Sequence, residues 1–501
     1  MRTALAIPNE RSARASRRGQ AWVGTGVGFL LVYSMWVWAG IRPSFHLVAV
    51  AGAVVLGGGF FFRCGASARK VFRDPVFWLG LAFLGFLALQ WANAGREQYF
   101  DVGYQRWTYT APRWPSWPWA YARGEAAQML AWFFPAWTLT VVLRAPVLDR
   151  RAASRLLRFC VHAAAALSVF GMIQYASGTS SIYWQQPLNG HFFASFGYGN
   201  HAPPFFLLMS AVAAGLMYRE VFERSRSHAD APSARRLQHP GRVAILAISF
   251  ILCLAGAFLG FSRAGIILSG VFCGVVSVYG WVRGWRYLPP AGRLNFGALS
   301  VAVAAGIILL VAGLGDQGIR REMTWNPTGS ELSGRVWDRI DLELGRRPRF
   351  VWAAIKIWWA DPWYGVGGWG YRYQVAEHVP EEYWPALQRR GWANVHCDPV
   401  QFLAEFGVVG FGLMVAIVGI MVRAAWPARQ SPSCAFGAMG GVGLVLVGVF
   451  SVVDLPFRSP AILYAWLAAL ALLPKMCAAS PRDSAPLTSL RLVAPVEGSP
   501  P

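Results

Sequence analysis

The sequence predicts an all-α, polytopic membrane protein of about 12 transmembrane helices, with a large extracytoplasmic loop between helices 9 and 10. Three observations predict it. Mean hydropathy is +0.38 and 55% of the 501 residues are hydrophobic, whereas a soluble chain of this length divides into domains with charged surfaces. The apolar residues gather into runs of about 20, the length a helix needs to cross ~30 Å of hydrocarbon at ~1.5 Å per residue. The basic residues, finally, are sorted into alternate loops.

Residues 1–20 form a basic cytoplasmic N-terminus carrying Arg2, Arg11, Arg14, Arg17 and Arg18. The run that follows is too long and bulky for a signal peptide, so it reads as a retained first helix. Segment 21–314 then holds nine spans, at 21–41, 44–62, 76–93, 126–143, 156–176, 203–218, 243–261, 264–282 and 296–314. Segment 315–398 is an extracytoplasmic, partly helical loop, and 399–474 holds three more spans at 400–422, 435–453 and 459–474. The tail 475–501, ending "APVEGSPP", has the composition of a disordered cytoplasmic segment.

With both termini inside, the cytoplasmic loops are 63–73, 144–158, 219–242, 283–293 and 423–434. These and the termini hold 28 of the 46 Lys and Arg residues, as the positive-inside rule requires. The net charge of +22 is thus accounted for by topology. Nucleic-acid binding would need a basic groove lined with base-stacking aromatics, and no segment offers one. A multi-pass protein of the bacterial inner (cytoplasmic) membrane is expected, with membrane lipids as its surroundings. The seven cysteines include no C-x-x-C pair and show neither zinc-ligand nor disulfide patterning.

Two external segments are long. Residues 94–125, rich in Trp and Pro, read as lying along the membrane interface. Loop 315–398 carries 11 basic and 11 acidic residues and is too long for a plain connection. Within it "RPRFVWAAIKIWWADPW" spaces Val351, Ala354, Ile355, Trp358 and Trp359 as the apolar face of a helix. Asp361-Pro362 stops that helix, and "YGVGGWGY" reads as a flexible glycine turn.

Five constellations of polar residues fall on this external side. In "NVHCDPVQFLAEFGVVGF", Asp398, Pro399 and Gln401 have the spacing of a capping-box start to the tenth span. Asp398 can equally be read as a catalytic carboxylate. Glu405 sits inside the span, where a carboxylate faces a protein interior, partnered by an arginine or by substrate. His396, at the mouth of that span, is a candidate base with a pKa suited to neutral pH. The other four are Arg263 in "LGFSRAGIIL"; Arg349, with Arg335 as a competitor, around the loop helix; Asn200 and His201 before the sixth span; and Asp454 with Arg458 before the twelfth. A planar guanidinium suits phosphate, while snorkelling arginines, a helix cap and an Asp454–Arg458 ion pair are the structural readings of the same residues.

These residues, in this order, resemble the O-antigen ligase and polymerase superfamily of membrane glycosyltransferases. Its S-R-x-G turn is matched by Ser262-Arg263-Ala264-Gly265, and its Arg–Trp helix leading to P-x-x-G-x-G by Arg349, Trp352 and "PWYGVGGWG". Its histidine motif is matched by His396, Gly407 and Gly410, and its D-x-P…S-P-A segment by Asp454-Leu455-Pro456 and Ser459-Pro460-Ala461. "FGYGNHA" is similar to a further region of the family. Cys397 departs from it, standing where Asn, Ser or Gln is usual, and a thiol is a poor hydrogen-bond partner.

The resemblance implies glycosyl transfer outside the cytoplasm, from a polyprenyl-diphosphate-linked glycan donor to a hydroxyl of a glycan or lipid A-core acceptor. It implies inversion, a periplasm-facing site and no metal or other cofactor. In that scheme His396 is the base, and Arg263 and Arg349, or Arg335, hold the diphosphate. Glu405 or Asp398 orients the histidine, and Asn200, His201, Gln401 and Asp454 line the substrate site. A transporter or lipid flippase is the alternative, although it would favour internal repeats and ionisable groups at the bilayer midplane.

Overall fold

The computed structural model describes residues 10–95, 97–103, 105–110, 112–188, 191–223, 240–287, parts of 293–309, 336–384, Leu387, 394–430 and 434–478. The long helices are α1 (Glu10–Trp36), α2 (Pro43–Arg69), α3 (Pro75–Ala92), α4 (Arg123–Arg144), α5 (Arg150–Ala176) and α6 (Ala202–Tyr218). They continue with α7 (Pro240–Leu259), α8 (Arg263–Tyr287), α9 (Val336–Ala360), α10 (Asp398–Gln430), α11 (Ala435–Val453) and α12 (Pro460–Cys477). Ten helices among the described residues are long and apolar enough to cross a membrane. The protein is an all-α polytopic membrane protein. The first expected span is covered by α1, which packs on α2 and α5 but is not among those ten. The ninth lies largely outside the described residues.

Local chemistry sets the helix starts. Asp74 and Asp149 accept the amides of Val76 at 3.1 Å and Ala152 at 2.7 Å, satisfying N–H groups that have no partner within the helix. Proline opens α2, α3 and α12, where its missing N–H costs nothing. Helix α6 is apolar all round, and 94% of its spanning window is buried, so it forms the centre of the bundle. Small residues let its neighbours close on it: a Cβ on Gly215 would stand 3.1 Å from the Phe436 ring, and one on Gly443 would collide with Ala211. Close backbone approach through small residues is how helices pack where lipid removes the hydrophobic drive.

Two small hairpins interrupt the helices. Strand β1 (Gln98–Asp101) pairs with β2 (Arg106–Tyr109), and β3 (Ser181–Ile182) with β4 (Gln186–Pro187). The first stands in the Trp- and Pro-rich segment. There Asn93, at the end of α3, pins Trp114 through its amide at 3.0 Å and its carbonyl at 2.8 Å.

The glycine turn after α9 is fixed rather than flexible, because it is braided into a broken helix. Gly407 interrupts α10 with φ +60° and ψ −172°. The carbonyls of Ala404 and Glu405 accept the amides of Val366 at 3.1 Å and Gly367 at 2.8 Å. In return the Val408 and Val409 amides donate to Pro362 at 2.8 Å and Trp363 at 3.1 Å. These four bonds give two carbonyls and two amides beside the break partners on the other segment, as a break at membrane depth requires. Gln90 of α3 completes the joint, its side-chain amide 3.4 Å from the Tyr364 carbonyl.

Two further expectations need correction. Among the described side chains of α9 the buried residues are Ala353, Ala354 and Ile357, while Trp359, assigned to the apolar face by spacing, is 75% exposed. Cys434 and Cys477, which no spacing rule pairs, form a disulfide with Cα atoms 5.4 Å apart. The pairing arises from the antiparallel neighbourhood of α11 and α12, which places the start of one beside the end of the other.

Candidate functional site

His396 stands at the start of α10 with φ +57°, a left-handed conformation unusual for a side chain with a Cβ. A relay of polar groups holds the backbone there. Val395 donates its amide to Gln401 Oε1 at 3.0 Å, and Gln401 Nε2 donates to Glu405 Oε1 at 2.9 Å. Glu405 Oε2 in turn pairs with Arg458 Nη2 at 2.5 Å. Glu405 and Arg458 are 0% and 3% exposed, and the guanidinium lies between the Trp369 and Phe402 rings, 4.6 and 4.7 Å from their centroids. The expected Asp454–Arg458 pair is therefore replaced. Arg458 reaches inward to the intramembrane carboxylate, which could not be buried unpaired.

Asp454 serves the histidine instead. Its Oδ1 lies 3.4 Å from His396 Nδ1, Asn200 Nδ2 donates to Oδ2 at 2.6 Å, and the Tyr198 hydroxyl is 3.3 Å from both oxygens. Burial by itself would raise the Asp454 pKa, but the hydrogen bond and charge of His396, the neighbouring His201 and the Leu455 amide outweigh it and hold the carboxyl below its ordinary range. Burial, followed by the Asp454 charge, pushes the Tyr198 phenol well up, so it remains a neutral donor. His201 is buried, its ring packed edge-on to Tyr198 at 4.9 Å.

Asp398 does not cap α10. The Cys397 carbonyl accepts the Gln401 amide at 3.0 Å, which makes Cys397 the capping position. The Asp398 carboxylate, 1% exposed, turns to the Phe457 amide at 2.8 Å, while its own amide is 3.4 Å from the Asp454 carbonyl. Asp398 thus ties the histidine segment to the Asp454 turn through the backbone. Gln401 reaches back to Val395 rather than to Asp398, because the cap lies one residue earlier than the sequence spacing suggested.

The arginines divide. Arg349 is half exposed, and its Nη1 donates to Glu382 Oε1 at 3.0 Å and to the Tyr383 hydroxyl. Arg347, which sequence reasoning passed over, donates from Nη1 to the Val453 carbonyl at 2.8 Å, next to Asp454. It stands two residues before Arg349 on the same helix, and no motif singled it out. Residues two apart on a helix face different ways, so spacing alone could not choose between the two. Arg263 opens α8 and is exposed. Its turn packs on the start of α6, where a Cβ on Gly260 would stand 2.6 Å from Pro203. Phe261 lies against His191 at 5.3 Å, whose carbonyl accepts the Gly199 amide at 2.9 Å. Arg335 lies outside the described residues.

The structure thus gathers His396, Asp454, Asn200, Tyr198, His201 and Arg347 at one end of the bundle, with Gln401, Glu405 and Arg458 behind them. Among the described residues no three His, Cys, Asp or Glu side chains are grouped to hold a metal ion. Such an arrangement can accept a proton at the imidazole, with a carboxylate orienting it and a cation alongside.

Comparison with known families gives one match. Residues 248–415 fit the sequence model of the O-antigen ligase family, a stretch that includes Arg263, Arg347, Arg349, His396 and Glu405 but neither Asn200 nor Asp454. No curated protein matches the chain.

Proposed function

We propose that the protein, whose residues 248–415 match the O-antigen ligase family, transfers a glycan from a polyprenyl diphosphate to an acceptor hydroxyl at the external face of the inner membrane; that match supports glycosyl transfer of the ligase or polymerase kind. The acceptor is a growing glycan or a lipid A-core. One observation carries this reading: the His396–Asp454 pair, set at one end of the bundle beside the Arg347 guanidinium.

In the productive tautomer, His396 Nδ1–H donates to Asp454, leaving the Nε2 lone pair for the acceptor. As the acceptor oxygen attacks the anomeric carbon, its proton passes to Nε2. The bond from that carbon to the diphosphate oxygen breaks, and the electron pair leaves with the polyprenyl diphosphate. Single displacement inverts the anomeric centre. The diphosphate is already a good leaving group, so the scheme needs no general acid, unlike glycosidases with paired carboxylates, and no metal.

Charge growing on the departing diphosphate is met by Arg347 and Arg263, with Arg349 at the outer edge. Asn200 and Tyr198 hold Asp454 rather than substrate. Glu405, sealed by Arg458, positions the histidine through Gln401.

The test is His396→Ala in the native host, read as surface polysaccharide on a gel with the protein level checked. Loss of glycan at normal protein level is expected; unchanged glycan would remove His396 as base. The accumulating intermediate then separates the two activities. Long lipid-linked chains mark a missing ligase, and single lipid-linked repeat units a missing polymerase.

A further inference from the structure

Helix α9 carries a face that the proposed chemistry does not use. Trp352, Lys356 and Trp359 recur at helical spacing on one side, opposite the buried Ala353, Ala354 and Ile357. Trp363 follows just past the helix end. Trp352, Trp359 and Trp363 are 58%, 75% and 65% exposed, and Lys356 is also exposed. Three tryptophans presented to water would be a costly surface.

Backbone hydrogen bonds fix the depth of this face. The Pro362 and Trp363 carbonyls accept the amides of Val408 and Val409, which lie inside the span Asp398–Trp426. Arg423 marks the far end of that span. Val409 is roughly 21 Å from it along the axis at ~1.5 Å per residue, short of the ~30 Å hydrocarbon thickness. Val408 and Val409 are themselves 44% and 37% exposed on the flank of the bundle, where lipid is the neighbour. The segment docked on that flank cannot stand clear of the bilayer.

We infer that the second half of α9 and the Pro362–Gly367 turn form a re-entrant element seated in the outer leaflet, with Trp352, Trp359 and Trp363 at the phospholipid headgroup boundary and Lys356 beside the phosphates. Tryptophan, with an apolar ring and one N–H donor, concentrates at that boundary, and a lysine with an apolar stem and a charged tip suits the same level. Backbone outside a helix is tolerated at membrane depth only where protein satisfies it, and the exchange at Gly407 does so. The occupant of this face is the bilayer itself. The inference stands apart from the transfer chemistry, since it uses no residue assigned to it.

The test places a photo-crosslinking residue at Trp359 or Trp363 of the full chain in native membranes, with Glu382 as the control position. Intact mass of the purified protein then identifies what has been captured. Phospholipid adducts at 359 and 363, with none at 382, are expected. Adducts to another protein, to a lipid-free saccharide or to polyprenyl diphosphate in place of phospholipid would each overturn the assignment. So would the absence of any adduct in protein that runs as the wild type on size exclusion.

Discussion

Arg458 Nη2 meets Glu405 Oε2 at 2.5 Å in a site where neither side chain is more than 3% exposed, and this pair is the footing of the histidine relay. Removing one partner leaves an uncompensated buried charge. Arg458→Met should therefore destabilise the protein by about 3–5 kcal/mol, seen as a lower thermal midpoint in detergent. Glu405→Leu combined with Arg458→Met should recover most of that loss, because an apolar pair of similar volume no longer needs solvation. Transfer should stay impaired in the double variant, since Gln401 has lost the carboxylate that orients it. Recovery of both stability and transfer would show that the pair supports the fold alone.

The braid at Gly407 makes a sharper stability prediction. Gly365, Gly367 and Gly407 all have positive φ, at 66°, 80° and 60°. A Cβ on Gly365 would stand 2.5 Å from the Ala404 carbonyl oxygen, and one on Gly407 would strike the Trp363 carbonyl. Gly407→Ala thus adds a steric clash to a backbone conformation that only glycine adopts readily, at a cost of roughly 1–3 kcal/mol. Much lower yield of folded protein is expected, read by fluorescence-detected size exclusion. Gly412→Ala, where nothing stands within 4 Å, should behave as wild type.

The contrast between these glycines and the sequence reading is instructive. Helical spans were legible because lipid imposes a length and an apolar composition on each one separately. The positions of His396, Asp454 and Asn200 at one end were legible too, since alternating topology sorts loops by side. Partner choice was not. Whether Arg458 pairs with its neighbour Asp454 or with Glu405, and whether Arg347 or Arg349 turns toward the site, depends on how three helices and a loop meet. The glycine run read as flexible for the same reason: its fixing partners are the amides and carbonyls of a helix some 40 residues on, and backbone partners leave no trace in side-chain pattern.

Asp454 supplies a pH-dependent prediction. Its folded pKa is depressed, chiefly by His396 acting against burial. Its contribution to stability is therefore fully present above the unfolded carboxyl value of about 3.9 and is lost as pH falls through the lower folded value. Thermal midpoints measured from pH 6 to pH 3 should show a steeper acid decline for the wild type than for Asp454→Asn, which has no carboxyl to protonate. At neutral pH the same substitution should lower transfer by about 10²- to 10⁴-fold, because an amide facing Nδ1 no longer fixes the productive tautomer. Parallel acid limbs for the two proteins would remove Asp454 from the account.

The two arginines of α9 can be separated by activity. Arg347 donates to the Val453 carbonyl at 2.8 Å, beside the carboxylate that holds His396. Arg349 spends its Nη1 on Glu382 and Tyr383 and lies over the Tyr383 ring at 5.1 Å. If charge on the departing diphosphate is met next to the imidazole, Arg347→Ala should cost more transfer than Arg349→Ala, by a factor on the order of 10 or more. Arg347→Lys should restore little of it, since an ammonium cannot span two phosphate oxygens in one plane while keeping a donor on the carbonyl. Both variants should stay within ~1 kcal/mol of wild-type stability, because the contacts of Arg349, which is exposed, and of Arg347, which is partly so, are screened by water. Lipid-linked glycan accumulating in the Arg347 variant, but not in the Arg349 variant, is the expected result. The reverse order would return the diphosphate to Arg349 and require the Glu382 contact to open when donor binds.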